Sequence, residues 1–410
     1  MNKNWWSLIL FVIILGAWMG NNQLLLVGLL LALVGVTSHI WAYYCLTAVT
    51  YQRRFSRTHL FFGDELELSL EIVNAKPLPL AWLIAVDDYP TAFQLLTGEW
   101  VASGSPRRRL LVNSLSLRWY ERVTRHYRLR GIQRGVWQFG PVQLSSGDIF
   151  GFSIKRAVNE ETQRIVVYPR YVPLTALGLP AFHPFGDYRT PRRILDDPLQ
   201  LMSVREYVPG DSFRHIHWKA TARRHNLQTK LFEPSASRPF AIFLDSRTSP
   251  YANEGLDREL LELGVTTAAS FVHWAWQAGH PVGLYVNSVL RSSRQRIRLR
   301  PQKNEAQLRR ILEAMSWMED DGLWRISTIL KMEAKSLPYG TTIVVVTAIV
   351  SGRLRQTLQD LQRQGYGVVL ISLGEREMEG NNLPAALSPY LRHYHIERQI
   401  WHELESLELA

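Results

Sequence analysis

The sequence has a single cysteine, Cys45, in 410 residues. One cysteine excludes an intramolecular disulfide and a thiolate metal cluster within one chain, which fits a reducing compartment. Acidic residues are the minority of the charged ones, 36 Asp and Glu against 47 Lys and Arg, and the formal charge is +11. This balance favours acidic partners, whether anionic lipid headgroups, nucleic acid or an acidic protein surface.

Charged side chains are absent from residues 4–52. An uncharged run of this length exceeds the about 20 residues that one helix needs to cross a bilayer. We therefore predict a transmembrane helical hairpin in residues 1–52, with crossings at residues 5–19 and from Leu24 to about Leu46. A cleaved signal peptide that begins with Lys3 is the alternative for the first apolar run.

Basic residues flank the uncharged run, with Lys3 before it and Arg53, Arg54 and Arg57 after it. Positively charged flanks stay on the cytoplasmic side of a membrane. Both ends of the hairpin, and the soluble domains that follow it, are therefore expected to face the cytoplasm.

Short alternating runs fill residues 53–175. Residues 66–72 alternate apolar and polar side chains with period two, as a half-buried strand does. Many short strands without helical stretches indicate a β-sandwich-like domain. Further strands are predicted at residues 81–86, 115–120, 126–129, 136–139 and 165–167.

Apolar strands alternate with amphipathic helices in residues 239–410. This alternation predicts right-handed crossovers and a mainly parallel sheet, which is an α/β Rossmann-like domain. Residues 176–238 form the linking segment between the two regions. The predicted strands are residues 239–244, 282–286, 342–347 and 367–372, and the predicted helices are residues 254–278, 305–318, 323–334 and 354–364.

The most distinctive motif, REYxPGDxxRxIxWKxxAR, lies in the linking segment. Its Pro-Gly-Asp step indicates a turn, and its arginines can pair with its carboxylates. An ion-paired turn that locks the β region to the α/β domain is one interpretation, and a docking surface for a partner is the other. The candidate interaction residues are Arg205, Glu206, Tyr207, Pro209, Gly210, Asp211, Arg214, Trp218, Lys219 and Arg223.

This motif, together with Gly151-Phe152 and the Val167-Tyr168-Pro169 step, resembles the bacterial domain-of-unknown-function family number fifty-eight. The resemblance extends over essentially the whole chain. It implies a von Willebrand factor A-like C-terminal domain in a protein of the bacterial inner membrane. It also implies genes neighbouring those of MoxR-type AAA+ ATPases and transglutaminase-like membrane proteins, and no known activity.

The von Willebrand A resemblance implies a divalent metal site of the form Asp-x-Ser-x-Ser after the first strand, a set of hard oxygen ligands that suits Mg²⁺. Asp245 and Ser249 match this pattern, whereas Arg247 replaces the middle serine. Ala348 stands where a later loop would often supply an aspartate. The candidate metal ligands are thus Asp245 and Ser249, and the alternative is an inactive loop that binds proteins.

Two basic stretches and one histidine pair complete the candidates. Arg294, Arg296, Arg298 and Arg300 alternate along one predicted strand, and an Arg-rich stretch covers residues 107–134. These basic stretches favour binding of anionic lipid or nucleic acid, or they form a solvated face of a strand. His215 and His217 would share one face of a strand, either as the start of a metal site or as ordinary hydrogen-bonded histidines.

We expect a non-enzymatic, membrane-anchored scaffold or adaptor that uses the von Willebrand A-like domain to engage proteins, among them an AAA+ ATPase. No nucleophile and base can be paired from the sequence. The alternative function is a membrane-tethered binder of anionic lipid or nucleic acid through the Arg-rich strands, with nucleic acid the less favoured partner.

Overall fold

The computed structural model describes residues 3–179, 196–209, 211, 213–234, 239–249, 255–320, 322–338, 340–375 and 391–409. The chain forms two compact units, Met1–Arg170 and Tyr171–Ala410. Each unit has its own sheets, and each is described by itself below.

Two apolar helices begin the first unit: α1 spans Lys3–Trp18 and α2 spans Asn22–Tyr44. By length and composition, α2 is the one helix in the described part of the chain that can cross a membrane, and α1 is a shorter apolar helix. At about 1.5 Å per residue, α1 is about 24 Å long, whereas the hydrocarbon core of a bilayer is about 30 Å thick. One candidate membrane helix is therefore established, and a crossing by α1 stays a prediction.

Glycine allows α1 and α2 to approach each other closely. A Cβ atom on Gly28 of α2 would lie 2.7 Å from Cγ1 of Ile13 in α1, and one on Gly16 would lie 2.9 Å from the backbone nitrogen of Leu25. Small residues at such contacts are typical of helices that pack in lipid. Asn21 caps α2, because its side chain accepts hydrogen bonds from the first backbone amides of the helix.

Twelve strands build the rest of the described first unit. Three sheets result, with the strand orders β1-β3-β8-β5, β11-β10-β4-β7-β6 and β2-β12-β9. All pairings are antiparallel except that of β2 with β12. The strands are β1 Val49–Phe55, β2 His59–Phe61, β3 Glu65–Asn74, β4 Leu80–Pro90, β5 Phe93–Leu95, β6 Val101–Ala102, β7 Arg108–Leu117, β8 Arg122–Gly131, β9 Gly135–Phe139, β10 Val142–Gly147, β11 Ile154–Asn159 and β12 Gln163–Tyr168.

The core of the first unit follows the alternation of the sequence. Leu66, Leu68, Leu70 and Ile72 of β3 are buried, and the residues between them are more exposed. These side chains join buried residues of β4, β7 and β10 in one apolar cluster. The predicted β-rich region is therefore confirmed, although the strand predicted at residues 115–120 begins earlier, at Arg108, and ends at Leu117.

The second unit starts with a 3-10 turn, Leu174–Leu177, and an antiparallel hairpin of β13 (Asp196–Glu206) and β14 (Gln228–Pro234). Between the two hairpin strands lie a 3-10 turn, Phe213–His215, and the short helix α3, Trp218–Arg224. The hairpin therefore carries most of the sequence motif in its connection.

A six-stranded sheet forms the remainder of the described second unit. Its order is β17-β16-β15-β18-β19-β20, with β17 antiparallel and the other strands parallel. Every residue of β15, β16 and β18 is buried, which a parallel sheet covered on both faces requires. The elements are β15 Phe240–Leu244, α4 Arg258–Gln277, β16 Val282–Val289, β17 Arg296–Gln302, α5 Glu305–Trp317, α6 Ile326–Ala334, β18 Thr342–Thr347, α7 Gly352–Arg363, β19 Gly367–Leu373, β20 Arg392–Ile396 and α8 Gln399–Leu409.

Candidate functional site

The turn of the sequence motif is held by an ion pair between Arg205, at the end of β13, and Asp211. Nη2 of Arg205 lies 2.8 Å from Oδ1 of Asp211, and Oδ2 of Asp211 accepts a hydrogen bond from the backbone N–H of Val208 at 3.2 Å. The Val208 amide, and then Arg205, keep the pKa of Asp211 below its usual range. Glu206 and Pro209 are exposed beside this pair. Part of the motif is thus the ion-paired turn that its residues predict.

The rest of the motif is an exposed aromatic and basic surface. Phe213 is 69% exposed and Trp218 is 68% exposed, and the ring of Tyr207 lies 5.6 Å from that of Phe213. Lys219 and Arg223, on α3, are exposed as well. We call Phe213, Trp218, Lys219 and Arg223 the motif surface. Gly210 and the side chain of Arg214 lie outside the described residues.

The two motif histidines do not lie together on a strand, which the metal-site interpretation required. His215 ends a 3-10 turn, and His217 is the N-cap of α3, where its Nδ1 accepts a hydrogen bond from the Ala220 amide at 3.0 Å. Ile216, which lies between the two histidines, pairs with Thr229 in an isolated bridge. The interpretation as hydrogen-bonded histidines fits His217.

The candidate metal residue Asp245 follows β15, at the end of the sheet where the parallel strands finish. Its Oδ1 accepts hydrogen bonds from Nδ2 of Asn287 at 2.6 Å and from the Arg247 amide at 3.1 Å. Its Oδ2 accepts one from Oγ1 of Thr347 at 2.9 Å. Asn287 in turn accepts from the amide of Ser246 at 2.8 Å. The loop after β15 is therefore fixed to β16 and β18 by a buried polar network.

Burial dominates the electrostatics of this network. Asp245 is 7% exposed, and burial raises the pKa of its carboxyl group to about 6. Hydrogen bonds from Thr347, Arg247 and Asn287 lower this pKa, but they do not offset the effect of burial. Loss of water around a carboxylate disfavours its charged form. Part of the Asp245 population is consequently protonated in mildly acidic solution.

These residues do not fit a Mg²⁺ site. Mg²⁺ requires near-octahedral oxygen coordination, usually with carboxylates. The part of the chain that the structure describes contains no group of three His, Cys, Asp or Glu residues able to hold a metal ion. Asp245 already accepts three hydrogen bonds, and the positively charged Arg247 lies two residues further along the loop. Ser249 is half-buried and Ala348 is buried, and Ala348 offers no side-chain ligand.

Asn287 is a site residue that the sequence analysis missed. The signal was present, because Asn287 and Ser288 are polar residues inside the otherwise apolar strand β16, and both are fully buried. Buried polar side chains need partners, so such a pair indicates a network with a neighbouring strand.

A serine and two histidines also meet in the second unit. Oγ of Ser372 on β19 lies 2.8 Å from Nε2 of His393 and 2.9 Å from Nδ1 of His395, both on β20. Burial, and then the neighbouring His395, lower the pKa of His393. Ser372 is fully buried. A hydroxyl without access to solvent cannot meet a substrate, so we interpret this cluster as a structural link between the two strands.

Ion pairs occupy much of the basic strand β17 and its approach. Arg296 and Arg298 lie 3.9 Å and 2.5 Å from the carboxylate of Glu333, and Arg294 lies 2.5 Å from that of Glu319. Glu333 is buried, so it acts as a fixed counter-charge. These pairs reduce the charge that the strand offers to phosphate groups, and binding of lipid or nucleic acid there stays a prediction.

Residues 203–377 match the family model described as "Protein of unknown function DUF58". A relative, "Uncharacterized protein YeaD" of Bacillus subtilis (strain 168), is 28% identical over 256 residues, which cover 59% of this chain and 57% of that protein. The chain thus spans little more than half the length of this relative. The residues that match the family model include the motif, the Asp245 network and most of the six-stranded sheet.

Among solved structures, the chain is similar to the native conformation of E. coli alpha-2-macroglobulin, with 19% identity, a TM-score of 0.21, and coverage of 30% of this chain and 7% of that one. It is also similar to a non-cellulosomal cohesin of Archaeoglobus fulgidus, with 12% identity, a TM-score of 0.22, and coverage of 30% and 91%. Likenesses of this size carry no argument about function.

Proposed function

We propose that this protein is a non-enzymatic, membrane-anchored adaptor whose motif surface docks a protein partner on the cytoplasmic side of the bacterial inner membrane. The observation that carries the proposal is the exposure of Phe213 and Trp218, at 69% and 68%, with the exposed cations Lys219 and Arg223 following in helix α3. Aromatic side chains and arginine are enriched where proteins bind one another.

The local structure supports a preformed docking surface. The Arg205–Asp211 ion pair and the Val208 amide fix the turn before Phe213, and His217 caps the helix that begins with Trp218. A surface that is ordered before binding loses less conformational entropy when the partner arrives. The cations Lys219 and Arg223 favour an acidic face on that partner.

The strand order of the second unit supports a von Willebrand A-like, doubly wound domain. In order of appearance along the chain from β15, the strands lie 3-2-1-4-5-6 across the sheet, which is the doubly wound order, with strand 3 antiparallel. In the proposed adaptor this domain is a protein-binding module without Mg²⁺. An AAA+ ATPase of the MoxR type is the partner class that the family resemblance implies.

Membrane attachment is supported by an apolar end of the first unit. The Ala75 amide donates to the carbonyl of Ala48, just after α2, and the Tyr120 amide donates to the carbonyl of Lys76. The β7–β8 turn, with exposed Trp119 and Tyr120, therefore lies near the end of α2. Aromatic side chains concentrate at membrane interfaces.

A second loop of the first unit also lies near the end of α2. Nζ of Lys155, at the start of β11, donates to the carbonyl of Tyr43 in α2 at 2.8 Å. The loop before it exposes Ile149, Phe150 and Phe152, and the last two rings stack 5.9 Å apart. We call Trp119, Tyr120, Ile149, Phe150 and Phe152 the membrane-proximal surface. An exposed apolar patch beside a membrane helix favours contact with lipid.

The test is crosslinking in cells followed by purification of the full chain and identification of what is captured. We compare wild type with Trp218→Ala and Phe213→Ala, and Met332→Ala is the control because Met332 is an exposed apolar side chain elsewhere in the second unit. We expect an AAA+ ATPase with wild type and the control, and at least a tenfold loss, about 1.4 kcal/mol, with the motif variants. Equal capture by all four proteins would contradict the motif surface, and no captured protein would contradict the adaptor.

A further inference from the structure

A pocket of about 420 Å³ opens beside Asp245 in the second unit. This volume lies in the range of small-molecule binding sites, about 300 to 1,000 Å³. The pocket lies where β15 and β18 end, at the point where the strand order changes direction, and ligands of doubly wound sheets bind at such a point. Its polar lining consists of Asp245, Arg247, Arg325, Ser327, Ser351 and Arg353.

The charge of the pocket is positive. Three guanidinium groups line it, against the single carboxyl group of Asp245. Within the described part of the chain, Arg325 and Arg353 form no ion pair, and both are exposed. Unpaired arginines that converge on a concave surface are suited to oxyanions, because each guanidinium offers several N–H donors in one plane.

Two helices direct their first backbone amides to the same place. Ile326 and Ser327 begin α6, Gly352 and Arg353 begin α7, and all four residues line the pocket. None of the four amides donates a hydrogen bond within the residues that the structure describes. Free amides at a helix N-terminus attract anions.

Ser327 gives an independent indication of a ligand. It is 8% exposed and lines the pocket, and its hydroxyl has no hydrogen-bond partner among the described residues. Because most of the side chain lies inside the protein, its hydroxyl is accessible only from the pocket side. The pocket therefore contains a hydroxyl that no described residue bonds to and that a bound molecule or solvent can reach.

We infer that this pocket binds the phosphate group of a small molecule, and not a divalent cation. The guanidiniums of Arg325 and Arg353, the four helix amides and the Ser327 hydroxyl have no partner among the described residues. Together they match the three or more acceptor oxygens and the double charge of a phosphate group. The inference is separate from the adaptor function, since the residues that line the pocket are not those of the motif surface and phosphate binding requires no protein partner.

The test is titration calorimetry of the purified full chain in detergent, with inorganic phosphate, a nucleoside diphosphate and MgCl₂ as three separate probes. We expect phosphate to bind without metal, and we expect Arg325→Gln and Arg353→Gln each to weaken the affinity about tenfold. Arg363→Gln is the matched control, because Arg363 is an exposed arginine at the opposite end of α7. If the nucleoside diphosphate binds more tightly than inorganic phosphate, the small molecule that carries the phosphate group is a nucleotide.

The variant Asp245→Asn distinguishes an anion-binding site from a cation-binding site. An anion site loses a repulsive charge in this variant, so phosphate affinity should stay equal or increase, whereas a cation site would lose its carboxylate. Saturable Mg²⁺ binding that Asp245→Asn abolishes would overturn the inference. So would an absence of phosphate binding, or phosphate binding that Arg325→Gln, Arg353→Gln and Arg363→Gln leave equally unchanged.

Discussion

The guanidinium group of Arg53 donates to both carboxylate oxygens of Asp87, with Nε 2.7 Å from Oδ2 and Nη2 2.7 Å from Oδ1. The hydroxyl of Tyr51 donates to the same carboxylate at 2.8 Å, and Nη1 of Arg53 reaches the carbonyl of Glu161. Arg53 is 5% exposed. It is therefore an internal connector of β1, β4 and the segment before β12, and not the free flanking charge that the topology prediction counted.

Loss of the Asp87 charge should unfold the first unit at much lower denaturant concentrations. Asp87→Asn leaves the buried guanidinium of Arg53 without a counter-charge, and breaking a buried pair in this way costs about 3 to 5 kcal/mol. Urea unfolding of the full chain in detergent, followed by circular dichroism, measures the change. Glu65→Gln is the control, since Glu65 pairs with Arg130 at the surface and should cost less than about 1 kcal/mol. Equal effects of the two variants would contradict the assigned role of the buried pair.

Asp245 should make the second unit less stable as the pH rises. Its pKa is raised from 3.8 to about 6 by burial, so the folded state holds a proton that the unfolded state has released between about pH 4 and pH 6. Stability is therefore highest below this window and falls across it, by about 2 to 3 kcal/mol for a shift of about two pKa units.

The variant Asp245→Asn isolates this effect from other titrating groups. Its stability relative to wild type should increase by about 2 to 3 kcal/mol between about pH 4 and pH 7, because the amide does not ionise. Urea unfolding at a series of pH values gives the difference directly. A difference that stays constant over that range would show that the Asp245 carboxyl group titrates normally.

The membrane-proximal surface should lie at the depth of the lipid headgroups. A spin label at Phe150→Cys in a Cys45→Ser background should be accessible to oxygen and protected from a water-soluble relaxation agent in nanodiscs, because Phe150 is exposed near the end of α2. Ile132 is the control: it is also exposed, but it follows β8 at the end opposite the β7–β8 turn. Phe150 and Ile132 labels with the same aqueous accessibility would count against lipid contact.

Ser372 should not react as a nucleophile. Its hydrogen bonds to two histidines resemble those of an activated serine, but the side chain is fully buried. A fluorophosphonate probe should therefore leave the folded protein unlabelled, while a serine hydrolase added to the same sample reacts. Stoichiometric labelling that Ser372→Ala removes would refute the non-enzymatic proposal.

Elements with a strong local pattern were predictable from the sequence. The alternation at residues 66–72 identified β3, and the apolar run at residues 342–347 coincides with β18. The strand predicted at residues 115–120 was displaced, because β7 spans Arg108–Leu117 and the chain turns at Tyr120, which adopts a positive φ of 53°. No hydrophobicity pattern reports such a backbone angle.

Other features depend on contacts between distant residues. The strand β20 has the sequence RHYHI and was missed, because its place at the edge of the sheet tolerates polar side chains. Asp245 was identified as a candidate, but its partners Asn287 and Thr347 are brought to it only by the order of the parallel strands. The Arg-lined pocket likewise requires α6 and α7 to begin side by side, which one sequence does not reveal.

The short passage from α2 to β1 has a mechanical consequence. Strand β1 begins at Val49, five residues after α2 ends at Tyr44, and Lys155 is bonded to the helix end itself. The connection is short and Lys155 bonds to the end of the helix, so α2 and the sheets of the first unit are held together at this end. In the proposed membrane-anchored adaptor, a change in the tilt of α2 would therefore move the sheets of the first unit with it.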